Sequence, residues 1–209
     1  ESGSGKSTIA KLMAGFFDAD DGRIYFGDQD VKSIPTSQLM KHVAYVAQDN
    51  FLFDTSIREN LKIAKADATD EEIQAALKAS NCLELIEQLP EGLNSNAGDC
   101  GKFLSGGERQ RITLARAMLA DAQCIILDEA TAYADVENEA KIQEALSRLM
   151  KDKTLIVVAH RLNTIVGADQ IMVLGHGKIE SIGTHKELIQ NSSAYQKLWQ
   201  SYSGKEVVE

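Results

Sequence analysis

"ESGSGKST", residues 1–8, is the stretch on which the reading of the whole chain turns. A phosphate-cradling loop has the pattern Gly, four residues, then Gly-Lys-Ser/Thr; Gly5, Lys6 and Ser7 supply its end, while its first Gly would precede Glu1. Gly3 and Ser4 keep the turn small, so backbone amides can close on phosphate oxygens. Lys6 offers a point charge to terminal phosphates. The Ser7 hydroxyl, followed by Thr8 at the start of a helix whose dipole favours anions, can ligate Mg²⁺. A Gly/Ser turn before an ordinary helix is the plainer alternative, and the joint presence of Gly3, Gly5, Lys6, Ser7 and Thr8 weighs against it. With no Met and no apolar leader, position 1 reads as a cut end inside a longer protein.

Outward from that loop, composition narrows the choices. A chain of 209 residues suits one large domain, or a core with a small subdomain. The net charge of −9 argues against the basic face that a phosphate backbone requires, so no nucleic-acid partner is expected. The longest apolar runs, "TLIVVA" (154–159) and "CIIL" (124–127), fall far short of the roughly 20 residues that span a bilayer. Cys82, Cys100 and Cys124 are scattered with no C-x-x-C pair, which reads as reduced thiols, not a disulfide framework or zinc site.

Periodicity supplies the architecture. "IAKLMAGFF" (9–17) has helical apolar spacing with Gly15 as its stop, "RIYFGDQDV" (23–31) reads as a hairpin about a Gly-Asp turn, and "HVAYVAQ" (42–48) as a strand. Thr69 to Leu89 reads as one helical segment: Thr69 and Glu72 form a capping box, and Ile73, Ala76, Leu77, Leu85, Ile86 and Leu89 recur at helical spacing before Pro90. From Cys124 onward the runs "CIIL", "TLIVVA" and "QIMVL" alternate with the helix patterns "VENEAKIQEALSRLM" and "HKELIQ", the habit of buried parallel strands joined by crossover helices. The expectation is a single α/β domain over 1–209 with a mostly parallel sheet and an inserted helical subdomain at about 52–120.

Two further motifs carry chemistry. In "CIILDEAT" (124–131), Asp128 and Glu129 emerge at the carboxyl end of a buried strand, where open α/β sheets place their ligands. Asp128 would hold Mg²⁺ through water, and Glu129 would orient or deprotonate the water that attacks a γ-phosphate. In "LSGGERQR" (104–111), Ser105 and Glu108 form a capping box with Gly106 and Gly107 in the turn. The same geometry exposes a helix N-terminus with a hydroxyl and free glycine amides, a second anion site about a hundred residues from the first.

Together these motifs resemble the nucleotide-binding domain of ATP-binding cassette (ABC) proteins, and "LSGGERQR" matches that family's signature. The resemblance implies a P-loop NTPase core with an inserted signature subdomain, ATP and Mg²⁺ as cofactors, and ATP hydrolysis. It also implies head-to-tail pairing with a second such domain, identical or homologous, in which Ser105, Gly106 and Gly107 of one copy cap the γ-phosphate held by the Lys6 loop of the other. Gln48 resembles the glutamine that reaches metal and attacking water. Asp135 in "ATAYAD" resembles the aspartate at the dimer seam, and it can equally cap the helix beginning near Val136. His160 in "AHRL" resembles the switch histidine at the γ-phosphate. His42, His176 and His185 are expected at the surface, and Trp199 in the amphipathic "AYQKLWQ" is expected to be packed.

The stretch "FLFDTSIREN" (51–60) is similar to the one that exporter-type cassettes present to their membrane domains, and "VLGHGKIESIGTHKEL" (173–188) to the family's final hairpin and helix entry. An exporter-type resemblance implies a transmembrane domain preceding the cassette on the same polypeptide, and a place at the cytoplasmic face of the cell membrane. The strand leading into the loop and the adenine-stacking aromatic would lie upstream of Glu1, so residues 1–209 alone are expected to be poorly stable and weakly active. "ATAYADVENEAKI" is similar to cassettes of siderophore transport. Departures from the pattern are Glu108 where many members have Gln, and Asn96 where exporters often carry Glu. The rival readings are a soluble, non-transport ABC ATPase of the translation or DNA-maintenance type, and a binding module that holds ATP without turning it over, against which Glu129, His160 and the intact "LSGG" argue.

Overall fold

The computed structural model describes residues 3–128, 141–142, 144–147, 153–159 and 162–206. The N-terminal loop feeds helix α1 (Lys6–Met13), which stops at Gly15. There the N–H of Phe16 reaches the Lys11 carbonyl and that of Gly15 the Leu12 carbonyl, each at 3.0 Å, the paired bonds of a left-handed C-terminal cap. Gly15 has φ 72°, and a Cβ on it would lie 2.6 Å from Leu39 Cδ2, so the turn favours glycine and any larger residue would have to move the Leu39 side chain. Strands β1 (Tyr25–Phe26) and β2 (Gln29–Asp30) form the antiparallel hairpin about Gly27-Asp28. Helix α2 (Thr36–His42) then leads directly into strand β3 (Val43–Val46).

A helical layer follows: α3 (Ile57–Lys62), α4 (Asp70–Ala79), α5 (Leu83–Gln88) and α6 (Gly106–Leu119). Ile57, Leu61, Ile73, Leu77, Ile86, Ile112 and Leu119 are buried against one another in a single cluster. The continuous helix expected from Thr69 to Leu89 is in fact two. The Thr69–Glu72 capping box opens the first as anticipated, but Asn81 adopts φ 56°, with its N–H on the Lys78 carbonyl and that of Cys82 on the Leu77 carbonyl. Asn tolerates the left-handed region, so it closes the helix as glycine would, and the apolar spacing resumes in α5 without any visible gap.

One polar network ties this layer together. Asn60 is fully buried; its side-chain oxygen accepts from the Phe53 N–H (2.9 Å) and from Arg116 Nη2 (3.0 Å), and its amide nitrogen donates to the Phe53 carbonyl (3.0 Å). Arg116 Nε donates to the Asn60 carbonyl (2.9 Å) and Nη1 to the Phe51 carbonyl (3.2 Å). The loop at 51–56 is thereby fastened to the side of α6.

β3, β4 (Cys124–Asp128) and β5 (Thr154–Val158) are parallel, in that order, with Val43 opposite Cys124 and Cys124 opposite Thr154. Every residue of the central strand is buried, which is why its sequence is apolar without alternation until Asp128. On one face Ile125 and Leu127 pack with Leu114 of α6 and with Ile142, Ala145 and Leu146, which are helical. On the other, Cys124 and Ile126 pack with Ala10 of α1, Ala14 and Leu39. The sheet is thus sandwiched between helices, as an α/β core requires.

The third apolar run, which spacing alone reads as one more parallel strand and the family resemblance as part of a final hairpin, follows the second reading. β6 (Ile171–Gly175) pairs antiparallel with β7 (Lys178–Gly183), with no parallel neighbour among the described residues. His176 and Gly177 have φ 50° and 71°, the left-handed pair of a tight hairpin turn, so the chain reverses at once and no crossover helix intervenes. A capping box of Thr184 and Glu187 starts α7 (His185–Asn191), and α8 (Ser193–Glu206) follows. His185 is not the surface residue expected: its Nδ1 lies 2.8 Å from the Tyr195 hydroxyl and its ring packs 4.7 Å from Trp199. No described helix is long and apolar enough to cross a membrane.

The Asn60 network sets a stability prediction. Asn60→Ala leaves the partly buried Phe53 backbone groups and part of the Arg116 guanidinium without their partner, and should lower unfolding stability by about 2 kcal/mol. A urea titration followed by circular dichroism measures it; an unchanged midpoint would show that the network is replaceable.

Candidate functional site

Three elements converge on Asp128. It is the last residue of β4 and only 4% exposed, and each of its carboxylate oxygens takes a separate donor. Ser7 Oγ, on the first turn of α1, donates to Oδ1 at 2.9 Å; the Tyr45 hydroxyl, from β3, donates to Oδ2 at 2.7 Å. The first bond joins residues 121 apart in sequence, so the loop and the strand end that the sequence reading paired are indeed in contact.

The N-terminus of α1 is bare. Gly5 is its N-cap with φ 94°, no side chain caps the first turn, and no acidic residue lies in it. The first N–H groups of the helix and the positive end of its dipole therefore face outward together. Ideal Cβ atoms placed on Gly3 (φ 81°) or Gly5 would meet nothing within 4 Å, so the loop borders open space. Lys6 Nζ donates to Ser4 Oγ at 3.1 Å, and Ser4 is buried, which anchors the lysine over the loop. Thr8 is exposed one residue beyond Ser7. These groups suit an oxyanion: outward amides, a cation, and no acidic residue within the first turn itself.

The donor set beside them also fits a dication. A serine hydroxyl and an aspartate are hard oxygen ligands of the kind Mg²⁺ takes, and no group of three His, Cys, Asp or Glu able to hold a metal occurs among the described residues. Such an ion would draw its remaining ligands from phosphates and water. Gln48 is exposed two residues past β3, on the same carboxyl edge of the sheet as Asp128, and its backbone carbonyl accepts from Asn50 Nδ2 at 3.2 Å.

The second helix end differs electrostatically. Ser105 Oγ accepts the Glu108 N–H (3.3 Å) while Glu108 Oε2 accepts the Ser105 N–H (2.7 Å), completing the capping box read from the sequence. Ser105 is exposed, Gly106 half-buried and Gly107 buried, so the hydroxyl stands at the surface with the helix end behind it. The hydrogen bonds of Ser105 run to Glu108, not to the Asp128 cluster. Glu129, Asp135 and His160 lie outside the described residues.

Sequence reasoning missed Tyr45. Burial, then the hydrogen bond to Asp128, pushes its phenol above its ordinary range, so it remains a donor. Its ring also meets the Phe16 ring edge-on at 5.0 Å. The available signal was one polar atom in a strand whose other side chains are aliphatic, at the position whose neighbour two residues on shares a sheet face with Asp128.

Comparisons with known proteins agree on one family. A family model described as ABC transporter matches residues 1–132. The heavy metal tolerance protein of Schizosaccharomyces pombe is 48% identical over 200 residues, 95% of this chain and 24% of that protein. The mycobactin import ATP-binding/permease protein IrtA of Mycobacterium tuberculosis is 45% identical over 206 residues, 99% of this chain and 24% of that one. An ATP-dependent lipid A-core flippase of Haemophilus influenzae is 46% identical over 199 residues, covering 95% and 34%. Among solved structures, a bacterial Atm1-family ABC exporter with ATP bound superimposes with a TM-score of 0.92 at 33% identity, covering 97% of this chain and 36% of that one. The chain therefore spans about a quarter to a third of the length of these relatives.

The open space at Gly5 yields a clean substitution. Gly5→Ala meets no neighbour, so it should cost only the strain of a left-handed non-glycine residue, about 1–2 kcal/mol, while its methyl enters the space over the amides. Binding of a fluorescent ATP analogue should weaken by about tenfold or more, with a near-native circular dichroism spectrum. Retained affinity would move the phosphate site elsewhere.

Proposed function

Because the chain belongs to the ABC transporter family, as an exporter-type nucleotide-binding domain, we propose that it binds ATP with Mg²⁺ and hydrolyses it to power transport across a membrane. The observation that carries this is the hydrogen bond from Ser7 to Asp128 at 2.9 Å, which assembles a bare helix end and a strand-end carboxylate into one hard-oxygen site. The amides from Gly3 to Ser7 cradle the phosphates, Lys6 balances their charge, and Ser7, Asp128 and Gln48 face the metal. Ser7, Asp128 and Gln48 would hold Mg²⁺, which when bound would supply neutralisation of the phosphate charge. Glu129 orients or deprotonates the attacking water, and His160 holds the γ-phosphate side. The protein's contribution is positioning and charge, with no covalent step of its own.

The second helix end gives this reading its stroke. Ser105, Gly106 and Gly107 close over the nucleotide held by a second nucleotide-binding domain, with Asp135 at the seam. Two ATP molecules thus join two domains head to tail, and hydrolysis releases them. A membrane domain on the same full-length polypeptide receives the motion, with the cassette at the cytoplasmic face of the membrane. Residues 1–209 act as one domain, and the helical layer from about 52 to 120 is the subdomain that carries the second end. Relatives named for mycobactin import and for multidrug export are 45% and 47% identical to this chain, so similarity over the cassette does not by itself assign a cargo.

Replacing the proposed base tests the reading. Glu129→Gln in the full-length protein should cut ATP turnover by about a hundredfold or more while leaving ATP binding intact, and should accumulate an ATP-bound closed pair, detectable by cross-linking of cysteines placed beside Lys6 and Ser105. Wild-type turnover in that variant would remove Glu129 from the mechanism.

A further inference from the structure

We propose that Tyr45 is a positioning residue for the metal side of the site: its hydroxyl holds Oδ2 of Asp128 so that Oδ1 is presented toward Ser7, before any metal arrives. The inference rests on the nucleotide-site reading above and adds a residue that the loop and strand motifs do not contain.

The sheet register puts the two residues within reach. Tyr45 lies opposite Ile126, so its side chain, that of Ile126 and that of Asp128 project from the same face. A phenol is long enough to pass diagonally from position 45 to the carboxylate two residues farther along the neighbouring strand, where its hydroxyl lies 2.7 Å from Oδ2. A phenylalanine here would reach the same place with nothing to donate.

The ring is held from its other side. Phe16 meets it edge-on, and Phe16 is placed by the Gly15 stop of α1. The same helix carries Ser7 at its opposite end, and Ser7 holds Oδ1. Asp128 is therefore fastened to both ends of α1, directly through Ser7 and by way of Tyr45 and Phe16. A carboxylate so buried needs both oxygens answered, and one with two fixed donors cannot rotate its oxygens away. Partners of this kind set metal affinity by fixing a ligand's orientation, typically by tenfold or more.

The test uses the full-length protein. With a non-hydrolysable ATP analogue bound, Mn²⁺ affinity is measured by electron paramagnetic resonance for the unaltered protein, Tyr45→Phe and Tyr45→Leu, with urea midpoints alongside. Tyr45→Phe, which keeps the ring against Phe16, should weaken Mn²⁺ binding about tenfold. The Mg²⁺ concentration for half-maximal ATP hydrolysis should rise by the same factor, with the lost rate recovered as Mg²⁺ is raised. Tyr45→Leu should show the same shift in affinity and lower stability in addition. Unchanged or tighter Mn²⁺ binding in Tyr45→Phe overturns the proposal. So does a shift confined to Tyr45→Leu, which would assign the effect to ring packing, or a Tyr45→Phe protein that fails to fold. If the unaltered protein shows no nucleotide-dependent Mn²⁺ binding, the nucleotide-site reading itself falls.

Discussion

A carboxylate buried at the end of a strand must have both oxygens satisfied, and the way Asp128 meets that constraint organises the rest of the molecule. At 4% exposure it cannot rely on water, so Ser7 and Tyr45 answer it from two different elements. Ser7 can do so only if α1 begins at the carboxyl edge of the sheet, and Tyr45 only if β3 lies beside β4 in parallel register. One buried side chain thus specifies the placement of a helix, a strand and the loop between Gly3 and Ser7. The same arrangement leaves the α1 dipole unopposed by any acid in its first turn, so the fold's requirement and the ligand's requirement are met by the same residues.

The two helix ends serve different ends because their local charges differ. At α1 nothing caps the helix and its amides turn outward, which suits tight capture of a polyanion. At α6 the Glu108 carboxylate already accepts the Ser105 N–H and places a negative charge in the first turn. That end is rigid and preformed, yet it is the poorer phosphate trap. Under the proposed function this asymmetry is useful. A weak, preorganised end engages only a nucleotide that the other domain already holds, so pairing follows occupancy instead of preceding it.

Much of this was legible in the residues, and the failures have physical causes. Capping boxes depend on side chains three residues apart, so Thr69–Glu72 and Ser105–Glu108 were readable; the central strand was readable because burial on both faces forces an unbroken apolar run. The break at Asn81 was not, because the left-handed cap consumes about one helical turn and the apolar spacing on either side stays in phase. Spacing alone made the run "QIMVL" look like another parallel strand, because an apolar segment states burial and not partner; the hairpin that the resemblance implied over 173–188 is the one formed, closed by the His176-Gly177 turn. The packing of His185 on Trp199 joins residues that only the α7–α8 turn brings together. Tyr45 and Asn60 belong to the same class: each acts through a contact distant in sequence, and neither stands in a motif of its own.

The Asn60–Arg116 network gives the helical layer its mechanical character. Phe51 and Phe53 are 39% and 50% exposed and pack edge-on at 4.9 Å, so an aromatic pair stands at the surface of a loop that would ordinarily yield under load. It cannot yield here, because Arg116 holds the Phe51 and Asn60 carbonyls and Asn60 holds both polar groups of the Phe53 backbone. Arg116 is on α6, whose first turn is the Ser105 end. The loop and the Ser105 end are thus joined through one helix that is buried along nearly its full length. Under the proposed function, that helix is the physical link between a membrane domain resting on the loop and a nucleotide beneath the helix end.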